Sequence, residues 1–152
     1  MSICLIDTSV FCNVVDVPGR NQQKAEVIAR LKELVGQRTV LLLPLVAILE
    51  TGNHIGQLSD GGRRRQSAER FVKQVSDAID GKAPWTPTPF VDAPELRAWL
   101  AEFPDHASRG SGLGDLSIIK EWERQRQLNQ GRRVFIWAYD QHLSSYDTGQ
   151  LG

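Results

Sequence analysis

Four carboxylates stand where the sequence changes character. Asp7 follows the apolar run Ile3-Cys4-Leu5-Ile6, and Glu50 is the only charge in the apolar segment 45–55. Asp115 opens a segment with one apolar face after a glycine-rich stretch, and Asp140 follows the apolar run 134–138. Singly, each has a structural use: Asp7 and Asp140 as turn formers or helix caps, Asp115 as an N-cap, Glu50 as a solvent-facing side chain. In order they read strand end, helix, helix start, strand end. Four uncompensated carboxylates brought together repel one another, and the physical remedy is a hard divalent cation. Carboxylate and water oxygens suit Mg²⁺ or Mn²⁺ first.

A parallel sheet would bring these residues together. Segments 3–6, 39–43 and 134–138 are apolar throughout, as in strands buried on both faces, and a further short strand is predicted near 90–91. Between them lie helical patterns over 21–35, with Val27, Ile28, Leu31, Leu34 and Val35 on one face, and over 45–55, 63–79, 94–103 and 115–127. Segment 10–19 reads as a loop or a short helical turn, and 104–114 as a polar loop. On the 45–55 helix, Val46, Glu50, Asn53 and His54 share a face, which makes Asn53 a candidate supporting residue. Strands alternating with helices predict a three-layer α/β/α fold with a central parallel sheet and right-handed crossovers. The carboxyl ends of its strands and the N-termini of the following helices share one edge, which collects Asp7, Asp115 and Asp140.

The remaining features narrow the function classes. A length of 152 residues fits one domain, 1–152, and 41% hydrophobic with 24% charged residues is an ordinary globular composition. No apolar run approaches a membrane span, the start carries no export pattern, and two cysteines are too few for a disulfide scaffold, so a cytoplasmic location is expected. Lys and Arg total 18 and so do Asp and Glu, so a polyanion would have to be met through local groups. Candidate contacts are Arg63, Arg64 and Arg65 at a helix start, Arg109 in the polar loop before Asp115, and Arg132 and Arg133. The run Gly110-Ser111-Gly112-Leu113-Gly114 lacks the lysine of a phosphate-binding P-loop. His54, His106 and His142 have no zinc-site spacing with Cys4 or Cys12. A haloacid dehalogenase-type phosphatase needs a second aspartate two positions after the first, where this chain has Ser9. Trp99, Trp122 and Trp137 are expected in the core or an interface, and Trp85 is expected to be exposed.

The chain resembles the PIN domain nucleases. The residues that carry the likeness are Ile6-Asp7-Thr8-Ser9, Pro44 with Leu49-Glu50, Gly114-Asp115-Leu116-Ser117-Ile118, and Tyr139-Asp140-Gln141-His142-Leu143. They span nearly the whole chain, and their order and spacing distinguish them more than any single motif. The resemblance implies a metal-dependent endoribonuclease in which Asp7, Glu50, Asp115 and Asp140 hold Mg²⁺ or Mn²⁺, with Thr8 or Ser9 assisting near Asp7. The reaction would be phosphodiester hydrolysis of single-stranded or loop RNA. A small chain of this kind looks most like the VapC-type toxins, which implies an antitoxin protein as partner and a homodimer. Such toxins often carry a threonine two residues before the last aspartate, where this chain has Ala138. The alternative from another class is a PIN-like RNA-binding or scaffold module with a weak or inactive site.

Overall fold

The computed structural model describes residues 1–150; residues 151 and 152 of the expected domain lie outside the described residues. Four strands, β1 (Ile3–Ile6), β2 (Val40–Leu43), β3 (Trp85–Pro87) and β4 (Val134–Trp137), pair in the order β3-β2-β1-β4, and every pair is parallel. The helices are α1 (Thr8–Val15), α2 (Lys24–Gly36), α3 (Leu45–Gly56), α4 (Gly61–Ile79), α5 (Ala93–Ser108), α6 (Leu113–Leu128) and the short α7 (Gln141–Ser144).

Strand side chains alternate between two cores, as the two-residue period of a strand requires. Cys4, Ile6, Leu41, Leu43 and Phe135 pack on one face with Phe11 of α1, Val27 of α2, Ala47 of α3 and Ala78 of α4. Ile3, Leu5, Val134 and Ile136 pack on the other with Ile118, Ile119 and Trp122 of α6 and Leu143 of α7. The fold is therefore the expected α/β/α arrangement. β1 is central and fully buried because helices cover both of its faces. Burying each such aliphatic side chain is worth about 2 kcal/mol, which fixes β1 and the residue after it. From β1 the chain steps through β2 to β3 on one side, and β4 then returns to β1's other side. The crevice beyond the carboxyl ends of β1 and β4 is thus a topological switch point.

Several elements differ from the sequence expectations. The segment read as a loop after Asp7 contains α1, which is only eight residues long and buried nearly all round, so no charged, solvent-facing side marks it as a helix. The third strand of the order β1–β4 lies at Trp85–Pro87 rather than at 90–91, and Phe90 is exposed. β3 is an edge strand, where Pro87 is tolerated because one side of the backbone needs no partner. Trp85 is buried there, edge-on against Phe11, contrary to its expected exposure. α5 runs through Pro104 to Ser108 and α6 begins at Leu113, so the expected polar loop 104–114 shrinks to residues 109–112. Val35 of α2 and Val40 of β2 are exposed, although both were expected to face a core.

Candidate functional site

Asp7 is the first residue after β1 and the N-cap of α1. Its Oδ2 accepts from the Ser9 amide (3.2 Å) and the Ser9 hydroxyl (2.8 Å). Ser9 Oγ in turn accepts from the Tyr139 amide at 3.1 Å, which ties the end of β1 to the end of β4. Glu50 projects from the second turn of α3, and its Oε2 accepts from the buried Thr8 hydroxyl at 2.8 Å. Asp140 caps α7 and accepts from the His142 amide at 2.9 Å through Oδ1. Asp115 lies in the first turn of α6, whose N-cap is Gly112, so Asp115 is not the cap its position suggested. Capping is real for Asp7 and Asp140, but it occupies one oxygen of each. Among the described residues no protein donor serves Asp7 Oδ1, Glu50 Oε1, Asp140 Oδ2 or either oxygen of Asp115.

All four carboxylates line one cavity of about 330 Å³ at the carboxyl edge of the sheet. Thr8, Ser9, Cys12, Gly19, Arg20, Gln22, Gln23, His54, Tyr139 and Leu143 complete its walls. Burial raises the Asp115 carboxyl above its ordinary value, and the charges of Asp7, Asp140 and Glu50 push it further while His142 opposes them. Glu50 reaches this cavity because α6 begins on a glycine-containing turn. A Cβ on Gly114 would overlap Glu50 Oε1 and stand 3.1 Å from Val46 Cγ2. Cys12 contributes no thiolate, since burial pushes its thiol up.

The donor set suits a hard divalent cation in its chemistry: carboxylate oxygens, several without a protein partner, in a site where one acid already feels the other three. Its geometry is open. Among the described residues, no group of three or more His, Cys, Asp or Glu is set so as to hold one metal ion. Carboxylates spaced around a cavity, rather than closed on a point, are what mutual repulsion favours in the absence of a cation.

Other expected site residues fall elsewhere. Asn53 is exposed on α3 and does not line the cavity, whereas His54, one helical turn from Glu50, does. Arg63, Arg64 and Arg65 are exposed at the start of α4; Arg64 donates to the Leu58 carbonyl at 2.7 Å and Arg65 pairs with Glu69 at 3.1 Å. Arg109 ends α5, is exposed, and is likewise absent from the cavity wall. The cation that does line it is Arg20, which no spacing pattern marks because the α1–α2 loop approaches only in the folded chain. Large apolar side chains are exposed on α3 (Leu49), after β3 (Phe90) and on α5 (Leu96 and Leu100).

Fold and site together define an α/β protein with an acidic cavity at the topological switch point of its sheet. Compared with protein-family models and with curated protein sequences, the chain matches none. No described helix is long and apolar enough to cross a membrane.

Proposed function

We propose that the chain is a Mg²⁺- or Mn²⁺-dependent endoribonuclease of PIN type that hydrolyses phosphodiester bonds in single-stranded or loop RNA. The observation that carries this reading is the convergence of Asp7, Glu50, Asp115 and Asp140, from four separate segments, on one cavity. A bound cation would supply activation of water and neutralisation of phosphate charge. Asp7, Glu50, Asp115 and Asp140 would hold it, while Ser9 orients Asp7 and Thr8 orients Glu50 through the hydrogen bonds described above. The carboxylates act as ligands and not as nucleophiles. A flexible strand can thread a phosphate into a crevice among folded elements more readily than a stiff duplex can, which favours single-stranded or loop RNA.

Cleavage of single-stranded RNA in Mg²⁺ or Mn²⁺, and its arrest by a chelator, is the expected result. Undiminished cleavage in chelator, or a marked preference for duplex DNA, overturns the proposal. The open arrangement of the carboxylates favours a second reading, an RNA-binding or scaffold module with a weak or inactive site. RNA binding without any divalent-dependent cleavage would establish that reading instead.

The toxin role, with an antitoxin protein as partner, a second copy of the chain in a homodimer and a cytoplasmic setting, belongs to the same proposal. The buried free thiols of Cys4 and Cys12 suit a reducing compartment. An adjacent gene for a small partner protein would support the toxin role. Light scattering at micromolar protein decides the dimer, since a monomer mass removes it.

A further inference from the structure

We infer that the α1–α2 loop is the phosphate-receiving wall of the acidic cavity, with Arg20 as the RNA contact and Asn13 as the residue that positions the loop. The inference rests on the proposal that RNA is the substrate. The cavity lining includes two unlike groups: the four carboxylates, and Arg20, Gln22 and Gln23 from the loop that follows α1. A phosphodiester drawn to cations among the carboxylates still has oxygens facing away from them, and a guanidinium meets such oxygens with a planar fork of donors. Arg20 is exposed, and among the described residues no carboxylate lies within ion-pair distance of it although four line the same cavity. Its charge is thus available to a ligand.

The loop is built to hold this place. Asn13, almost wholly buried, donates through Nδ2 to the Ser9 carbonyl at 2.8 Å and accepts through Oδ1 from the Gln23 amide at 3.0 Å. One side chain therefore fixes the loop to the turn that orients Asp7. On the far side, Asp16 takes hydrogen bonds from Asn21 (2.7 Å) and Lys24 (3.0 Å), while Arg70 reaches across from α4 to the Val15 and Asp16 carbonyls. Gly19, with φ of 82°, makes the bend that presents Arg20. By contrast, the basic run at the start of α4 lies away from the cavity and spends two of its three guanidinium groups on protein partners.

The test is fluorescence anisotropy of a nuclease-resistant phosphorothioate single-stranded RNA in Mg²⁺, across a salt series, with cleavage of ordinary RNA measured in parallel. Arg20→Gln should weaken binding about fivefold and flatten the slope of log affinity against log salt by about 0.7, the loss of one phosphate contact. Arg20→Lys should restore part of both, and replacing Arg63, Arg64 and Arg65 together by Gln should change affinity less than twofold, roughly. Asn13→Ala should weaken binding like Arg20→Gln, and the double variant should be no worse than either, because the two act through one contact. Circular dichroism confirms that each variant is folded, and Asn13→Ser replaces Asn13→Ala should the latter not fold. Unchanged affinity and slope in Arg20→Gln, or a larger loss in the triple arginine variant, overturns the inference while leaving divalent-dependent cleavage standing. Arg20-dependent binding without cleavage upholds the inference and removes the nuclease, and no binding by the wild type removes both.

Discussion

Asp115 and Asp147 are the same side chain at opposite ends of one sheet, and their surroundings give them opposite tasks. Asp147 is buried near the start of β4, where Arg133 grips both of its oxygens at 2.9 and 2.7 Å and the Gly149 amide adds a third bond at 2.9 Å. The Arg133 hydrogen bonds hold its carboxyl below the ordinary aspartate value, and the guanidinium itself lies over the Phe135 ring. Asp115 is half-buried at the carboxyl edge, receives no protein donor, and has three other acids as its strongest charged neighbours. One carboxylate is satisfied by the fold and stabilises it. The other has no partner from the fold among the described residues, and folding alone gives it no compensation.

The sharpest way to break this contrast is to remove the charge at each end. Asp115→Asn should abolish RNA cleavage, a loss of more than about a hundredfold, without lowering the thermal midpoint in metal-free buffer. Asp7→Asn should behave alike, because asparagine caps a helix nearly as well as aspartate. A clear loss of stability in either would return that residue to a structural role. Asp140 is more exposed and its sequence surroundings are the least regular, so Asp140→Asn should lose less activity than these two; equal losses would contradict the ranking. Asp147→Asn should leave cleavage intact and cost about 2 kcal/mol, since it breaks a charge pair with one buried partner and one half-exposed one. Urea denaturation measures this, and an unchanged midpoint would show that solvent compensates Arg133.

A smaller effect is expected from Gly114→Ala. The new Cβ overlaps Glu50 Oε1, the far end of a flexible side chain, so the fold should accept it and the carboxylate should move. Weakening of Mn²⁺ binding by about tenfold with nearly unchanged urea stability is the predicted pattern. Unchanged Mn²⁺ affinity would mean that the Glu50 position beside α6 is unimportant.

The smallest expected effect is the pH dependence, where the two aspartates differ in sign. A depressed folded-state pKa stabilises above the ordinary value of 3.8, so the Asp147 contribution is present at neutral pH and fades as pH falls through its folded value. A raised folded-state pKa does the reverse. Ionising Asp115 costs stability as pH climbs from 3.8 through its raised value, so in chelator Asp115→Asn should gain on the wild type between about pH 4 and pH 7. Thermal melts at those two values would show the gain, and a difference independent of pH would contradict the repulsion.

The same contrast explains what was legible in the sequence. Asp7 could be placed because Ile3 to Ile6 is an unbroken apolar run that only a doubly covered strand explains, and α6 because Leu116, Ile119 and Trp122 keep a helical period after Asp115. α1 was not legible: it is only eight residues long, carries no charge and buries Val10, Phe11, Cys12 and Val15, so few turns and no charged face mark it as a helix. Prolines around Trp85 look like a breaker until the strand proves to be an edge, and Pro104 marks an apparent helix end although α5 continues through it to Ser108. His54 shares the helical spacing that placed Asn53, and only packing decides which of them turns inward. Arg20 and the Arg133–Asp147 pair depend on contacts between distant segments, which no local pattern encodes.

The most direct measurement of the central claim is a calorimetric titration of Mn²⁺ into the metal-free protein, with Asp115→Asn alongside. Saturable binding at or below millimolar concentration in the wild type, lost in Asp115→Asn, is what four acids gathered for a cation predict. Absence of binding at millimolar Mn²⁺, or equal binding by both proteins, would contradict the assignment of the cavity as a metal centre.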